Sequence, residues 1–143
     1  MKVFVSYAFT GEDEAVLIAR LRRVKNVFDA LHIDSYINMF SPGYSDLVER
    51  NATGGEYMRS ALPNLQTSDV VLVLNTSPRR SEGMLMEVGA ALAWGKKIIL
   101  AQHASSVGET YLPTLADEAF VWQSDEELLQ KAEQLFSNLK KEE

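Results

Sequence analysis

Hydrophobic and polar positions along this chain switch repeatedly between a strand-like and a helix-like period. Lys2 to Tyr7, "KVFVSY", is β-rich and lacks the alternation of a half-exposed strand, which predicts a central parallel strand. From Ala15 to Leu31, the positions Val16, Leu17, Leu21, Val24, Val27, Phe28 and Leu31 recur at helical spacing. Arg20, Arg23, Lys25 and Asp29 fall opposite them. Thr10 or Asp13 is placed to cap that helix near Glu14. "HIDSYIN" (32–38) reads as a second strand. Residues 40–54 hold Pro42, Gly43 and Gly54 and read as a loop with one short helical turn. Glu56 to Thr67 reads as a helix interrupted by Pro63, and "SDVVLVLN" (68–75) as a fully buried strand.

The next stretch, "SEGMLMEVGAALAWGKKIIL", predicts a helix over about Glu82–Trp94 and a strand at Lys97–Ala101. Leu85, Val88 and Leu92 are its expected sheet-facing stripe. A short strand "AFVW" (119–122) and an amphipathic helix close the chain, with Ser124 and Glu127 spaced as a capping box. Strands alternating with helices imply an α/β fold. We expect one flavodoxin-like, doubly wound domain over residues 1–143, with a five-stranded, mainly parallel sheet covered on both faces. Ligands of such sheets bind where the strand order reverses, at the carboxyl ends of strands. The rule selects the loops after Tyr7, after Asn75 and after Ala101.

Composition narrows the chemistry. The 143 residues are 46% hydrophobic and 24% charged, an ordinary globular balance, with no cysteine and two histidines. Thiol catalysis is excluded, and a histidine-built metal centre is not expected. The formal net charge of −6 disfavours binding to nucleic acid. The apolar stretch at the amino terminus is too short for a signal peptide or a membrane span, so the expected setting is cytoplasmic, without a membrane partner.

Three polar clusters fall at the selected loops: Ser6, Tyr7, Phe9, Thr10 and Gly11; Asn75, Thr76, Ser77, Ser81 and Gly83; and Gln102, His103, Ser105 and Ser106. Hydroxyls and free backbone N–H groups at a helix start suit phosphate or ribose oxygens, and Arg79 and Arg80 add charge. They can equally serve as loop formers and caps. Glu87 is a lone carboxylate in an apolar helix, with Met86 beside it and Gly83 one turn earlier leaving space above it. An anionic carboxylate there can stabilise an oxocarbenium-like centre or bond to it; the alternative is an exposed glutamate paired with a basic neighbour. His32, Trp94 and Trp122 read as structural or packing residues.

The run "SDVVLVLN…SEGMLMEVGAALAWGKKIIL" resembles the nucleoside 2-deoxyribosyltransferase superfamily, which includes the 2'-deoxynucleoside 5'-phosphate N-hydrolases. Ser81, Gly83, Glu87, Val88, Gly89, Ala91, Gly95 and Lys96 match its helix and G-K turn in order and spacing. The resemblance implies cleavage of the N-glycosidic bond of a nucleoside or nucleoside 5'-monophosphate, by hydrolysis or base exchange, without cofactor or metal. It implies Glu87 as nucleophile and Ser81 as a 5'-phosphate ligand. With Ser81, the candidate substrate-binding residues are Ser6, Phe9, Thr10, Gly11, Asn75, Ser77, Gly83, Met86 and His103. The resemblance also implies a homodimer or larger homo-oligomer. Two positions depart from the family. Its nucleophile-supporting tyrosine aligns with Phe4, leaving Tyr7 to approach from the strand end. Its base-protonating carboxylate aligns near Ala61, leaving Glu12, Asp13, Glu56 or Glu82 to replace it.

Two other readings stand beside it. "VFVSYAFTGEDE" and "SPRRSEGMLMEV" resemble the Toll/interleukin-receptor-like domains, implying NAD cleavage or self-assembly, although Gly83 and Met84 replace their Trp-Cys pair. A non-catalytic nucleotide-binding protein is the third.

Overall fold

A computed structural model of the chain describes residues 1–143. β1 (Lys2–Tyr7), β2 (Asp34–Ile37), β3 (Val70–Asn75), β4 (Lys97–His103) and β5 (Glu118–Trp122) form one sheet in the order β2-β1-β3-β4-β5. All four pairings are parallel. The chain steps from β1 outward to β2, then returns across β1 to β3. The order therefore reverses between β1 and β3, the switch point where the polar loops were expected.

Strand alternation sorts the core into two layers. Val3, Val5, Leu72, Leu74, Ile99 and Ala101 face α1 (Glu14–Ala30) and α6 (Asp125–Lys141), meeting Leu17, Leu21, Val24, Phe28, Leu128, Ala132 and Phe136. Phe28 and Phe136 pack edge to face at 4.8 Å. The intervening residues Phe4, Val71, Val73, Ile98 and Leu100 face α3 (Gly54–Gln66) and α4 (Glu82–Ala93). Asp13, rather than Thr10, caps α1 by accepting the Val16 N–H. Ser124 caps α6, while the Glu127 carboxylate reaches one residue further back, to the Gln123 N–H.

Three expectations are corrected. Pro63 does not interrupt α3, which runs to Gln66 from a reciprocal Thr53–Glu56 capping box. The proline lies in the last turn, where only three more residues must follow it. The face of α4 on the sheet is Met84, Val88 and Ala91, spaced i, i+4, i+7; Leu85 and Leu92 point outward, 38% and 53% exposed. Alanine at position 91 lets the helix approach the sheet closely. Trp94 is also exposed, just past the end of α4, whereas Trp122 is buried.

The segment read as a loop contains a 3₁₀ turn (Asn38–Phe40) and α2 (Tyr44–Glu49), entered through Gly43 at φ 87°. β4 runs two residues beyond Ala101, and a short helix α5 (Leu112–Leu115) precedes β5. No helix is long and apolar enough to cross a membrane.

Candidate active site

A cleft of about 400 Å³ opens over the carboxyl end of β1, between α4 and the segment from Asn38 to Ala61. That volume suits a small ligand. Val5, Ala61, Phe9, Thr10, Tyr44, Tyr57 and Met58 line it. Glu87, Gly83 and Ser81 enter from α4 and its cap.

Helix geometry explains how Glu87 reaches this space. Val88 is directed at the sheet, and the residue before it is turned about 100° around the axis, toward the seam with α3. Gly83 lies one turn earlier on the same face, and a Cβ there has only the Met58 Cε, 3.9 Å away, in reach. The carboxylate thus opens onto the cleft. Its one hydrogen bond comes from Ser6, whose Oγ donates to Oε1 at 2.7 Å. Burial raises the Glu87 pKa to about 7, and the Ser6 hydrogen bond works against that rise. The carboxylate has no basic partner.

The same alternation separates Ser6 from Tyr7. Ser6 shares the parity of Phe4, facing α4, and is fully buried. Tyr7 has the other parity and packs toward α1, although its ring also borders the cleft at the strand end. Its hydroxyl accepts the Met39 N–H at 3.2 Å and makes no hydrogen bond to Glu87. Burial pushes its pKa well up, so it stays protonated. Phe4, where the resembling family has tyrosine, stacks on Tyr36 at 5.1 Å.

The other candidates divide. Phe9, Thr10, Ser81 and Gly83 line the cleft with Tyr7 and Glu87. Asn75, Ser77 and Ser81 border a second hollow on the far side of the α4 cap, so Ser81 touches both. Gly11 sits at the turn beneath the Arg79 guanidinium. Met86 points outward, 59% exposed. His103 lies edge-on against Trp122 at 4.7 Å and accepts the Ser105 N–H, outside both hollows.

None of the four carboxylates offered as proton donors lines the cleft. Glu56 is held below the usual carboxylate range by the Thr53 backbone N–H and the Arg50 guanidinium. Asp13 is used as a cap, Glu12 accepts from the Thr76 hydroxyl, and Glu82 is exposed in the first turn of α4. Glu87 is the cleft's sole carboxyl group.

Sequence reading missed the tyrosines and the asparagine that line the cleft with Glu87. Tyr44 and Tyr57 stand with ring centroids 5.9 Å apart, and Asn38 lines the cleft with its Oδ1 accepting from the Tyr36 hydroxyl. The available signal was Tyr44 within a segment holding Pro42, Gly43 and Gly54, and Tyr57 just beyond it.

No protein-family profile matches the chain, and no curated protein matches it by sequence. Solved structures do match in fold. The CMP N-glycosidase BcmB of Clostridium botulinum aligns over 94% of this chain and 99% of its own, with a TM-score of 0.65 and 18% identity. A conserved protein from Enterococcus faecalis aligns over 94% and 98%, with a TM-score of 0.60 and 19% identity. The 2-deoxyribosyltransferase of Bacillus psychrosaccharolyticus aligns over 90% of each chain, with a TM-score of 0.52 and 14% identity. The α/β architecture of this chain is therefore one that it shares with a nucleotide N-glycosidase and a 2-deoxyribosyltransferase.

Proposed function

We propose that this protein is an enzyme that cleaves the N-glycosidic bond of a nucleoside or nucleoside 5'-monophosphate, with Glu87 as nucleophile. The observation that carries this reading is the Glu87 carboxylate, held by Ser6 and opening onto a cleft walled by aromatic rings. The fold likeness to enzymes named for glycosidic cleavage and for deoxyribosyl transfer supports it. In this reading the base lies against Tyr44 and Tyr57, while Phe9, Thr10 and Ser81 meet the sugar and its 5'-phosphate.

The ionised carboxylate attacks C1' as the bond from C1' to the base nitrogen breaks. The electron pair leaves with the base, which takes its proton from solvent because no second carboxyl group lines the cleft. Water then opens the glycosyl ester at C1', or a second base takes its place. Anionic Glu87 is the reactive form, so the chemistry requires the proton that burial favours to be lost.

The reading includes a homodimer or larger closed assembly. The outward face of α4 supports it, since Leu85, Met86 and Leu92, with Trp94 just beyond, leave apolar surface uncovered. Light scattering on Leu92→Glu tests that part, with a lower mass than wild type expected.

The test of activity is a chromatographic screen for free base with cytidine, CMP, their deoxy analogues and NAD. It is run with wild type and Glu87→Gln. Base released from a nucleoside or its monophosphate by wild type, and lost in the variant, is the expected result. Nicotinamide as the sole product favours the Toll/interleukin-receptor-like reading. Saturable nucleotide binding without any product favours a binding protein.

A further inference from the structure

The second hollow, about 420 Å³, meets the cleft at Ser81 and is bordered by Ser77, Arg79, Arg80, Glu109 and Thr110. Its two guanidinium groups outnumber its one carboxylate, and neither is paired with an acidic side chain. Arg79 is exposed and reaches toward the loop after β1. Its guanidinium lies against Gly11, over the turn that follows β1. Gly11 also takes φ 83°, a conformation other residues adopt at a cost. Arg79 thereby lies between the loop carrying Phe9 and Thr10, which line the cleft, and the hollow beyond Ser81. The floor is fixed as well, because the buried Ser106 hydroxyl donates to Asn75 Oδ1, and the Asn75 amide donates to the Ser77 carbonyl.

We propose that this hollow is a subsite for a second phosphate, so that the protein takes a nucleotide carrying a 5'-pyrophosphate group. The inference rests on the nucleotide reading of the Glu87 cleft and extends it. A phosphate beside Ser81 is at the border of both spaces, and a further phosphate attached to it enters the region of Arg79 and Arg80. Planar guanidinium groups bind phosphate oxygens bidentately, and the protein's net charge of −6 makes a local basic pair the natural place for an anion. The pyrophosphate can belong to a nucleoside diphosphate or to a dinucleotide.

Calorimetric titration at fixed ionic strength tests this with CMP, CDP, NAD and inorganic pyrophosphate, against wild type and Arg79→Ala/Arg80→Ala. Both arginines are exposed and unpaired, so the variant keeps its fold, which thermal unfolding verifies. The expected result is that CDP or NAD binds at least about tenfold more tightly than CMP. The double variant removes that advantage, with CDP or NAD losing more affinity than CMP. A gain confined to CDP identifies a nucleoside diphosphate, and one confined to NAD a dinucleotide. The subsite is overturned if neither exceeds CMP, if the advantage survives in the variant, or if neither pyrophosphate nor any of the nucleotides binds. Glycosidic cleavage is read separately, by free base. Tight CDP binding without cleavage refutes the chemistry and keeps the subsite, whereas CMP cleavage without a CDP advantage does the reverse.

Discussion

The Ser6 hydroxyl and the Glu87 carboxylate lie 2.7 Å apart, joining β1 to α4. A hydrogen bond to an ionised carboxylate favours the ionised form and fixes its orientation. Ser6 is fully buried, so no water replaces it readily. In Ser6→Ala the opposing effect on the Glu87 pKa is lost, and burial raises that pKa further. The acid limb of the kcat/KM profile should move to higher pH, with roughly a tenfold loss near neutrality as the ionised fraction shrinks. Ser6→Thr, which keeps a hydroxyl, should recover much of it. An unmoved limb in Ser6→Ala would show that Ser6 merely fills space.

The wild-type profile itself carries a prediction. With Glu87 ionising at about 7 and reacting as the anion, kcat/KM should climb through neutrality and level off above it. Glu87→Gln keeps the side chain's size but has no anion. Its turnover should fall by about 10²–10³-fold or more on the alkaline plateau and lose the dependence on this ionisation. A wild-type profile already flat from pH 5 upward would mean that the reacting group is ionised throughout, so that it is not a carboxylate raised to about 7.

Much of this was legible in the residues, for reasons that differ from element to element. β3 reads as a buried strand because its branched run is continuous and bounded by polar residues. The Ser81–Lys96 block stands out because a glutamate in an apolar helix demands an explanation. The stripe on α4 was misjudged because its outward face is as apolar as its buried one, so hydrophobicity alone gave no phase. Small Ala91 faces the sheet while large Leu92 does not. The tyrosine wall escaped because it depends on the chain folding back through Asn38 to Ala61, a path that no local period encodes. Strand parity, by contrast, was readable: Ser6 and Phe4 must share a face, which places Ser6 beneath the carboxylate and leaves Tyr7 to the other side.

The buried acid also predicts a pH-dependent stability. The folded-state pKa of about 7 lies above the ordinary carboxylate value of 4.5. The folded protein therefore binds the proton more tightly than the unfolded chain does. The sign follows: the stabilisation is fully present below about pH 4.5 and is lost as pH rises through 7. Its size is about 3 kcal/mol, at 1.36 kcal/mol for each unit of difference. Urea denaturation of wild type and Glu87→Gln at pH 5 and pH 8 isolates it, because other titrations are common to both. The variant should gain on wild type by most of that amount at the higher pH. Equal stability changes in the two proteins would mean that the carboxylate is hydrated in the folded state.

Gly83 separates the needs of the fold from those of the cleft. It lies in the first turn of α4 with ordinary helical φ, and a methyl group there meets only the Met58 Cε at 3.9 Å. Gly83→Ala should therefore stabilise the protein by about 0.5–1 kcal/mol, through the lower backbone entropy of the unfolded chain. Gly83→Leu should also fold, since its longer side chain extends into open cleft rather than into core. That side chain then occupies the space over Glu87 where a sugar must sit. Base release should be abolished in Gly83→Leu while its thermal unfolding stays cooperative and near that of the alanine variant. If the leucine protein cleaved substrate at the wild-type rate, the reacting sugar would have to bind somewhere other than this cleft.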